Sequence, residues 1–380
     1  MNLIKIFYKN TRVKTLVIIL FLIPAFAFTQ DSFGFGETES GFGFETTSKL
    51  SVNISGEVEA GFTVFIDDFN SGDEIKNTRL GDIFLGSLNF EASNSSAEGV
   101  IKLKLRPVFD GTSPLEIDEA YLRAFFGSLT LEGGLRKLSW GKADSYGPLD
   151  VINPIDYRDL TKLSDQASVK MARPMLHAAF ALSSFSKIEA VFVPWFQGNK
   201  FALQGRWAPS QILLLSQLIK VEEHYVDSNK TLEYAQAGAR FTTSFGSSDF
   251  GMQYYYGRLN RPRVSMGPTG LSMDYNAYHQ IGLDFARVIA GFNLRAEAGA
   301  NITKDLDGAD PEIENPALVW SLGFDKELFS VNVNIQGNGK VRLFNGKIKD
   351  GTADCEAGTD LSSARITGII SKKSFVMNGK

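Results

Sequence analysis

The sequence predicts an all-β fold, a transmembrane antiparallel β-barrel of about 16 strands (roughly 14 to 18), on three observations. The chain opens with an export signal, apolar and polar residues alternate along most of the remaining chain, and the connections between the alternating segments are short and long in turn. Short periplasmic turns and long external loops are typical of membrane barrels whose N-terminus is periplasmic. A soluble sandwich has no reason to sort its loops by parity.

Composition excludes several other classes of protein. The chain has 380 residues, of which 43% are hydrophobic and 22% charged, and its net charge is -4. This hydrophobic content argues against disorder, and the absence of clustered Lys and Arg argues against nucleic acid as a partner. Cys355 is the only cysteine, so the chain forms no internal disulfide and no thiolate zinc site.

The N-terminal residues have the pattern of a secretory signal peptide. Cationic residues from Lys5 to Lys14 precede an uncharged run, Thr15 to Gln30, that contains Ala25-Phe26-Ala27. A basic region, a short apolar region and an A-x-A site predict export and cleavage after Ala27. The expected domains are therefore a signal peptide at 1–27, a periplasmic Gly/Phe-rich lead-in at 28–48 and an outer-membrane β-barrel at 49–380.

The first barrel strand is the clearest element of the sequence. From Leu50 to Ile66 the even positions are almost all apolar, and a period of two places such residues on one face only in a strand. The same reading, with turn residues as punctuation, predicts strands at Leu50–Ile66, Leu80–Ala92, Val100–Pro107, Ile117–Phe126, Leu129–Leu138, Met171–Leu182, Lys187–Trp195, Phe201–Trp207, Ile212–Val221, Tyr234–Phe245, Phe250–Arg258, Tyr275–Arg287, Phe292–Thr303, Leu318–Phe324, Phe329–Val341 and Ala364–Met377.

Charged residues of both signs occupy the face opposite the apolar one. In lipid a mid-plane Lys or Arg costs roughly 2 to 4 kcal/mol, whereas beside a water-filled lumen it costs little. The alternative is the solvated outer face of a soluble sheet. The barrel interpretation makes the following residues candidates for lining a pore: Glu57, Glu59, Lys102, Lys104, Glu119, Arg123, Arg240, Asp284, Arg295 and Glu297.

The long irregular stretch from Ser139 to Gln166 is the candidate constriction loop. It contains enough apolar side chains, Trp140 among them, to pack against other parts of the chain. One hypothesis is that it folds inward and narrows the lumen, with Asp156, Arg158 and Asp159 setting the local field. The alternative is an external loop packed on its neighbours.

The stretch Gly133 to Leu160 reads GGLRKLSWGKADSYGPLDVINPIDYRDL. Its Trp140-Gly141 pair followed by Asn153-Pro154-x-Asp156 resembles the W-G and N-P-x-D pattern of a bacterial outer-membrane β-barrel family of unknown function, in its spirochaetal branch. The resemblance extends to Ala172–Phe180, Glu189–Phe196, Ala237–Pro262, Ile281–Ala286 and Gly323–Gln336. It implies a porin-like outer-membrane protein without enzymatic activity, and it marks Trp140, Gly141, Asn153, Pro154 and Asp156 as motif residues.

The sequence offers no candidate catalytic residue, metal site or cofactor site. His177, His224 and His279 lack a G-x-S-x-G elbow and a second His at metal-binding spacing. We therefore expect a non-enzymatic channel for small solutes in the outer membrane of a diderm bacterium. A surface adhesin with a closed lumen is one alternative, and an outer-membrane hydrolase, which the absence of a Ser-His arrangement disfavours, is the other. The expected partners are outer-membrane lipid, the barrel-assembly machinery and small-molecule solutes, and a homo-oligomer remains open.

Overall fold

The computed structural model of the protein describes residues 3–4, 17–20, 26–29, 50–65, 80–105, 115–143, 147–160, 166–205, 207–210, 212–213, 228–267, 270–329, 331–344 and 362–372. The fold is mostly antiparallel β-sheet, with 17 strands in the main sheet of these residues, and the described pairings do not close it. Fourteen of these strands lie within residues 49–380, which is within the predicted range of 14 to 18, and the predicted fold class is confirmed. No helix in the described ranges is long and apolar enough to cross a bilayer.

Fourteen strands of the main sheet follow residue 50, and we number them in chain order. They are β1 (Ser51–Phe65), β2 (Leu80–Ser93), β3 (Ala97–Leu105), β4 (Leu115–Phe126), β5 (Leu129–Arg136), β6 (Arg173–Ala181), β7 (Ser186–Val193), β8 (Gln236–Phe245), β9 (Ser248–Arg258), β10 (Ala277–Ile289), β11 (Phe292–Thr303), β12 (Ala317–Leu328), β13 (Val331–Arg342) and β14 (Ser362–Lys372).

The remaining elements are short. Three main-sheet strands precede β1, and the last two of these pair antiparallel with it: Leu3–Ile4, Val17–Leu20 and Phe26–Thr29. Three two-stranded pairs lie outside the main sheet: Asp156–Tyr157 with Lys200–Phe201, Phe196–Gln197 with Ser228–Asn229, and Arg263–Gly267 with Gly270–Asp274. One α-helical turn spans Gln166–Val169, and one 3-10 turn spans Leu232–Tyr234.

The chain divides into two compact units. The first contains residues 1–136, 326–334 and 367–380; the second contains 137–325 and 335–366. In the first unit, β1 to β5 pair antiparallel in sequence order. In the second unit, β6 to β11 do the same, and β11 pairs with β12. Each unit is thus a meander in which successive strands are neighbours.

The predicted parity of the connections is confirmed. Tight turns follow β2, β4, β6, β8, β10 and β12, while every odd-numbered strand up to β13 is followed by a longer connection. Three tight turns use a left-handed Gly, at Gly127, Gly246 and Gly291, which is the residue that adopts this conformation without strain. Connections sorted in this way are typical of membrane barrels, which have short turns on one side of the membrane and long loops on the other.

The predicted strands Phe201–Trp207 and Ile212–Val221 are wrong where the structure describes them. Beyond Phe201 the chain bends at 203–205 and turns at 207–208, and residues 210, 212 and 213 are helical. Phe201 itself belongs to the two-residue strand that pairs with Asp156–Tyr157. The prediction failed at Ile212 because a short apolar run occurs in buried helical segments as well as in strands. Residues 214–221 of the predicted strand Ile212–Val221 lie outside the described residues.

On β9 and β10 of the second unit, polar side chains are buried and several apolar ones are exposed. On β10, Gln280 and Asp284 are buried, whereas Ile281 and Leu283 are 50% and 57% exposed. On β9, Gln253 is buried and its neighbour Met252 is 55% exposed. In water a continuous apolar face of this kind would be unstable, whereas lipid is its natural solvent. We call the face that carries the buried polar residues the inner face.

Candidate functional site

Residues 137–143 and 147–160 contact the inner face of the second unit, and we call these two described stretches together the docked segment. Glu297 of β11 holds its first part: the carboxylate accepts hydrogen bonds from the backbone N–H groups of Lys142 (2.5 Å), Ala143 (2.7 Å) and Leu149 (3.3 Å). Glu297 is buried, so these donors satisfy a charge that water does not reach freely. A predicted pore-lining residue therefore binds the predicted constriction loop.

Two glutamines on neighbouring strands hold the same part of the docked segment from the other side. Gln253 donates to the carbonyl oxygen of Leu149 at 2.8 Å, and Gln280 donates to that of Pro148 at 3.0 Å. The amides also bond to one another at 3.1 Å, and Gln280 donates to Asn301 at 2.9 Å. This ladder of neutral amides crosses β9, β10 and β11 and fixes the backbone of the docked segment.

Glycines of the inner face form a seat for the side chain of Leu149. Gly282 and Gly299 are register partners on β10 and β11, and Leu149 is fully buried against both. A Cβ added at Gly282 would lie 2.5 Å from Leu149 Cδ2, and one added at Gly299 would lie 2.9 Å from it. Contacts so short are excluded by van der Waals repulsion, so only glycine leaves room for this side chain.

Trp140 occupies a second glycine seat. A Cβ at Gly238 of β8 would lie 2.9 Å from the Trp140 ring, and the indole is buried together with Tyr255 and Ile152. Gly141 follows with φ 96°, a left-handed conformation that favours glycine, and its Cα approaches the Glu297 carboxylate. The Trp-Gly motif thus combines an anchoring ring with the backbone bend that brings the next N–H groups to Glu297.

The second motif fixes the far end of the docked segment. Asn153 is buried; its side-chain oxygen accepts from Leu138 N at 2.7 Å and its amide donates to Met171 O at 2.9 Å. Arg173, also buried, donates to the carbonyl oxygens of Ile152 at 2.6 Å and Gln197 at 2.7 Å. Asn153 therefore joins the start of the docked segment, at Leu138, to Met171, which lies beyond the end of the segment.

An ion pair between Lys170 and Asp150 adds a further link, and Lys170 also donates to Ser139 at 2.6 Å. Burial raises the pKa of the Asp150 carboxyl, and the Lys170 ammonium opposes that rise. Lys142 reaches Asp249 of β9 at 3.2 Å. The docked segment is thus held at Lys142 and at Asp150 by charge as well as by hydrogen bonds.

The other motif residues have different surroundings. Pro154 is buried, and Asp156 pairs with Arg158 through two of its guanidinium nitrogens, the shorter contact being 2.6 Å. Burial alone would raise the pKa of Asp156, but the bonds from Arg158 bring it below its ordinary value. Asp159 is half-buried. Asp156 and Arg158 compensate one another, which weakens the expectation that they set a strong field.

The first unit carries ion pairs between neighbouring strands. Lys102 contacts Glu119 at 2.7 Å, and Lys104 contacts Asp118 at 2.8 Å. Arg123 contacts Glu98 at 2.5 Å and Glu132 at 2.6 Å. Glu57 is exposed, and the side chain of Glu59 lies outside the described residues.

The remaining predicted residues lie on the inner face of the second unit. Arg240 of β8 contacts Asp284 of β10 at 2.7 Å and donates to Gln253 at 2.6 Å. Arg295 of β11 contacts Asp325 of β12 at 2.9 Å. These charged side chains lie on the same face as the docked segment, and their lining of a pore stays a prediction.

Sequence reasoning did not identify several residues of the site, namely Leu149, Gln253, Gln280, Gly282 and Gly299. The alternation pattern was used to find charged residues on the polar face, so it did not single out neutral amides or glycines there. A usable signal was the recurrence of glycine at inner positions of successive strands, since a missing side chain inside a sheet often marks close approach of another backbone.

The described residues contain no group of three or more His, Cys, Asp or Glu side chains that could hold a metal ion. No family model and no curated protein matches the chain. Solved structures with a similar fold include Salmonella typhi OmpF in complex with daunomycin, at 9% identity and a TM-score of 0.45, with 84% of this chain and 97% of that chain covered.

Two further structures are Vibrio cholerae OmpT in its trimer form and a mutant of the Rh. blastica porin. The first is 10% identical with a TM-score of 0.37, covering 84% of this chain and 98% of that one. The second is 11% identical with a TM-score of 0.33, covering 84% and 99%. Similarity at this level carries no argument about function. The pairing and burial described above place the chain in the class of antiparallel membrane β-barrel proteins.

Proposed function

We propose that this protein is an outer-membrane channel for small solutes and that the docked segment narrows its lumen. The observation that carries the proposal is the docking of residues 137–143 and 147–160 on a buried polar face whose opposite side is apolar and exposed. A polar inner face supports passage of water and solutes, and a segment bound to that face reduces the free cross-section. Selection is then by size and by contact with the docked segment.

The setting of this channel follows from the sequence. The segment 1–27 is the export signal, 28–48 is a periplasmic lead-in and 49–380 is the barrel of a diderm outer membrane. In this arrangement the tight turns are periplasmic and the long loops external. The resemblance to the W-G and N-P-x-D family, spirochaetal branch, fits the same role, because Trp140, Gly141 and Asn153 hold the docked segment in place. Lipid, the barrel-assembly machinery and solutes are the partners, and a homo-oligomer remains open.

Liposome swelling with sugars of increasing size tests the proposal. The full-length protein should admit small sugars with a sharp size limit, and a variant lacking residues 143–163 should raise that limit and the single-channel conductance. An unchanged limit in the variant would remove the narrowing role. No solute flux in either protein, with specific binding of the long loops to a host component, would favour the closed adhesin barrel.

A further inference from the structure

A cluster of two tyrosines and one histidine lies on the exposed outer face of the second unit, which is opposite the inner face. The Tyr254 hydroxyl oxygen is 2.7 Å from Nδ1 of His279, and the two groups share a hydrogen bond. The ring centroids of Tyr254 and Tyr256 lie 5.9 and 5.0 Å from that of the imidazole. The tyrosines are 44% and 37% exposed and His279 is exposed too, so this cluster, which we call the His-Tyr cluster, presents polar groups outwards.

The His-Tyr cluster stands at the end of the apolar surface of β10. A long connection precedes β10, and His279 is the third residue of this strand. The next residues on the outer face are Ile281, Leu283 and Phe285, of which the first two are at least half exposed, and then Arg287. His279 and Arg287 are eight residues apart, about 26 Å along the strand. On a strand tilted by about 40° this approaches the height of the apolar band of a membrane barrel, about 25 Å, so His279 lies where the headgroups begin.

A depression of the outer face lies further along the same strands. Its volume is about 520 Å³, and the apolar side chains that line it include Phe241, Phe250, Met252, Leu283, Phe285 and Ala298. Leu283 follows His279 by four residues on the same face, about 13 Å along β10. Half of the hydrocarbon core of a bilayer is about 15 Å thick, so a single lipid molecule spans the separation between the polar cluster and the depression.

The His-Tyr cluster offers a hydrogen-bond donor in surroundings without a carboxylate. When Nδ1 accepts from the tyrosine hydroxyl, Nε2 carries the hydrogen of the neutral imidazole, and the imidazolium form also has an N–H at Nε2. The register row through His279 on the outer face contains Ala237, Tyr256 and Ile302, none of which is acidic. An anion therefore meets a donor and no repulsion in this row. A phosphate oxygen accepts such a bond well, because hydrogen bonds to an ionised acceptor are about twice as strong as neutral ones.

We propose that this outer face binds one lipid molecule that carries a phosphate in its headgroup. The phosphate accepts a hydrogen bond from Nε2 of His279, and one acyl chain occupies the depression. Tyr254 and Tyr256 hold the imidazole at the level of the headgroups, which is the depth that tyrosine rings favour in membranes. The proposal concerns the outer face alone, so it goes beyond the channel function and holds equally for a barrel with a closed lumen.

Native mass spectrometry of the full-length protein in detergent tests the proposal, with dioleoylphosphatidylglycerol and dioleoylglycerol as probes that share their acyl chains. The wild type should retain phosphatidylglycerol in preference to the phosphate-free lipid, and inorganic phosphate should not displace it, because phosphate lacks the acyl chain. His279→Leu should weaken the retention of phosphatidylglycerol about tenfold, because it removes one charge-assisted hydrogen bond. Ala298→Phe fills the depression and should weaken the retention while leaving the His-Tyr cluster intact.

Arg287→Leu is the matched control, because it removes a donor from the same face of β10 at the opposite end of the apolar surface. It should leave the retention of phosphatidylglycerol unchanged, and heat-modifiable migration on gels confirms that each variant is folded. Equal retention of the two lipids by the wild type would overturn the proposal, as would equal losses in His279→Leu and Arg287→Leu. Displacement by inorganic phosphate, or undiminished retention in Ala298→Phe, would overturn the placement of the acyl chain in the depression.

Discussion

Replacing Gly282 by alanine should release the docked segment from the inner face. The new Cβ would lie 2.5 Å from Leu149 Cδ2, 3.1 Å from its Cδ1 and 3.2 Å from Gln253 Cγ. Carbon atoms in contact are about 3.5 to 4.0 Å apart, so Leu149 must retreat by about 1 Å. Overpacking of this kind costs about 1 to 3 kcal/mol, which corresponds to roughly a 5- to 150-fold rise in the undocked population.

The assay measures single-channel conductance and limited cleavage by trypsin after Lys142 and Arg158. Release of the docked segment should raise the conductance and the rate of cleavage at both residues. Gly323→Ala is the matched control: Gly323 lies on the inner face of β12, and an added Cβ there would meet its nearest atoms at 3.4 and 3.5 Å, ordinary contact distances. Neither glycine has a left-handed φ, so the two variants differ in steric fit and not in backbone strain.

The double variant Leu149→Ala/Gly282→Ala provides a further check. Leu149→Ala removes the two Cδ atoms that the new methyl group would strike, so the second substitution should add little to the first. If Gly282→Ala and Gly323→Ala, both folded, gave the same conductance and the same cleavage rate, the glycine seat would not be holding the docked segment. That outcome would refute the reasoning.

Three further predictions concern other parts of the molecule. Glu297→Gln replaces charge-assisted hydrogen bonds by neutral ones and should loosen the docked segment by about 1 to 2 kcal/mol, measured as faster tryptic cleavage; unchanged cleavage contradicts it. Leu322, 61% exposed on β12, faces lipid, so Leu322→Lys should cost roughly 2 to 4 kcal/mol in urea unfolding from bilayers, whereas Leu322→Met should be nearly neutral. Glu314 contacts Arg261 and Lys340, each at 3.1 Å; burial would raise its pKa, but these cations bring it below the ordinary value. The wild type should therefore be more stable than Glu314→Gln above about pH 4.5, and this difference should disappear as the pH falls further. The difference should be about 1 kcal/mol or less, because Arg261 is half exposed. A stability difference that grows towards low pH would exclude this pairing.

Much of the sheet follows from the sequence because alternation and turn chemistry are local. The predicted strand Leu50–Ile66 is observed at Ser51–Phe65, and the charges at Arg240, Asp284 and Glu297 lie on the buried face as expected. The parity of the loops is readable for the same reason, since each turn is specified by the residues within it. Their role as pore-lining residues stays a prediction, and two of them, Arg240 and Asp284, contact each other.

The docking of the segment does not follow from the sequence, because it depends on registers between distant strands. Leu149 meets Gly282 and Gly299, more than 130 residues further along the chain, only once β10 and β11 have paired. Gln253 and Gln280 look like ordinary polar positions until the carbonyl groups of the docked segment lie beside them. The failed strand at Phe201–Trp207 has a related cause, since the two-residue pairing with Asp156–Tyr157 is a contact of distant segments that a local pattern does not contain.

The glycine seat also bears on how the sheet is assembled. Gly282 and Gly299 face one another only in the observed pairing of β10 with β11, and a slip of one residue would turn one of them to the lipid side and bring a side chain into its place. Leu149 would then find no room, and the amides that hold its backbone would be displaced with it. The docked segment fits only on strands paired in the observed register, so its docking stabilises that register over a shifted one.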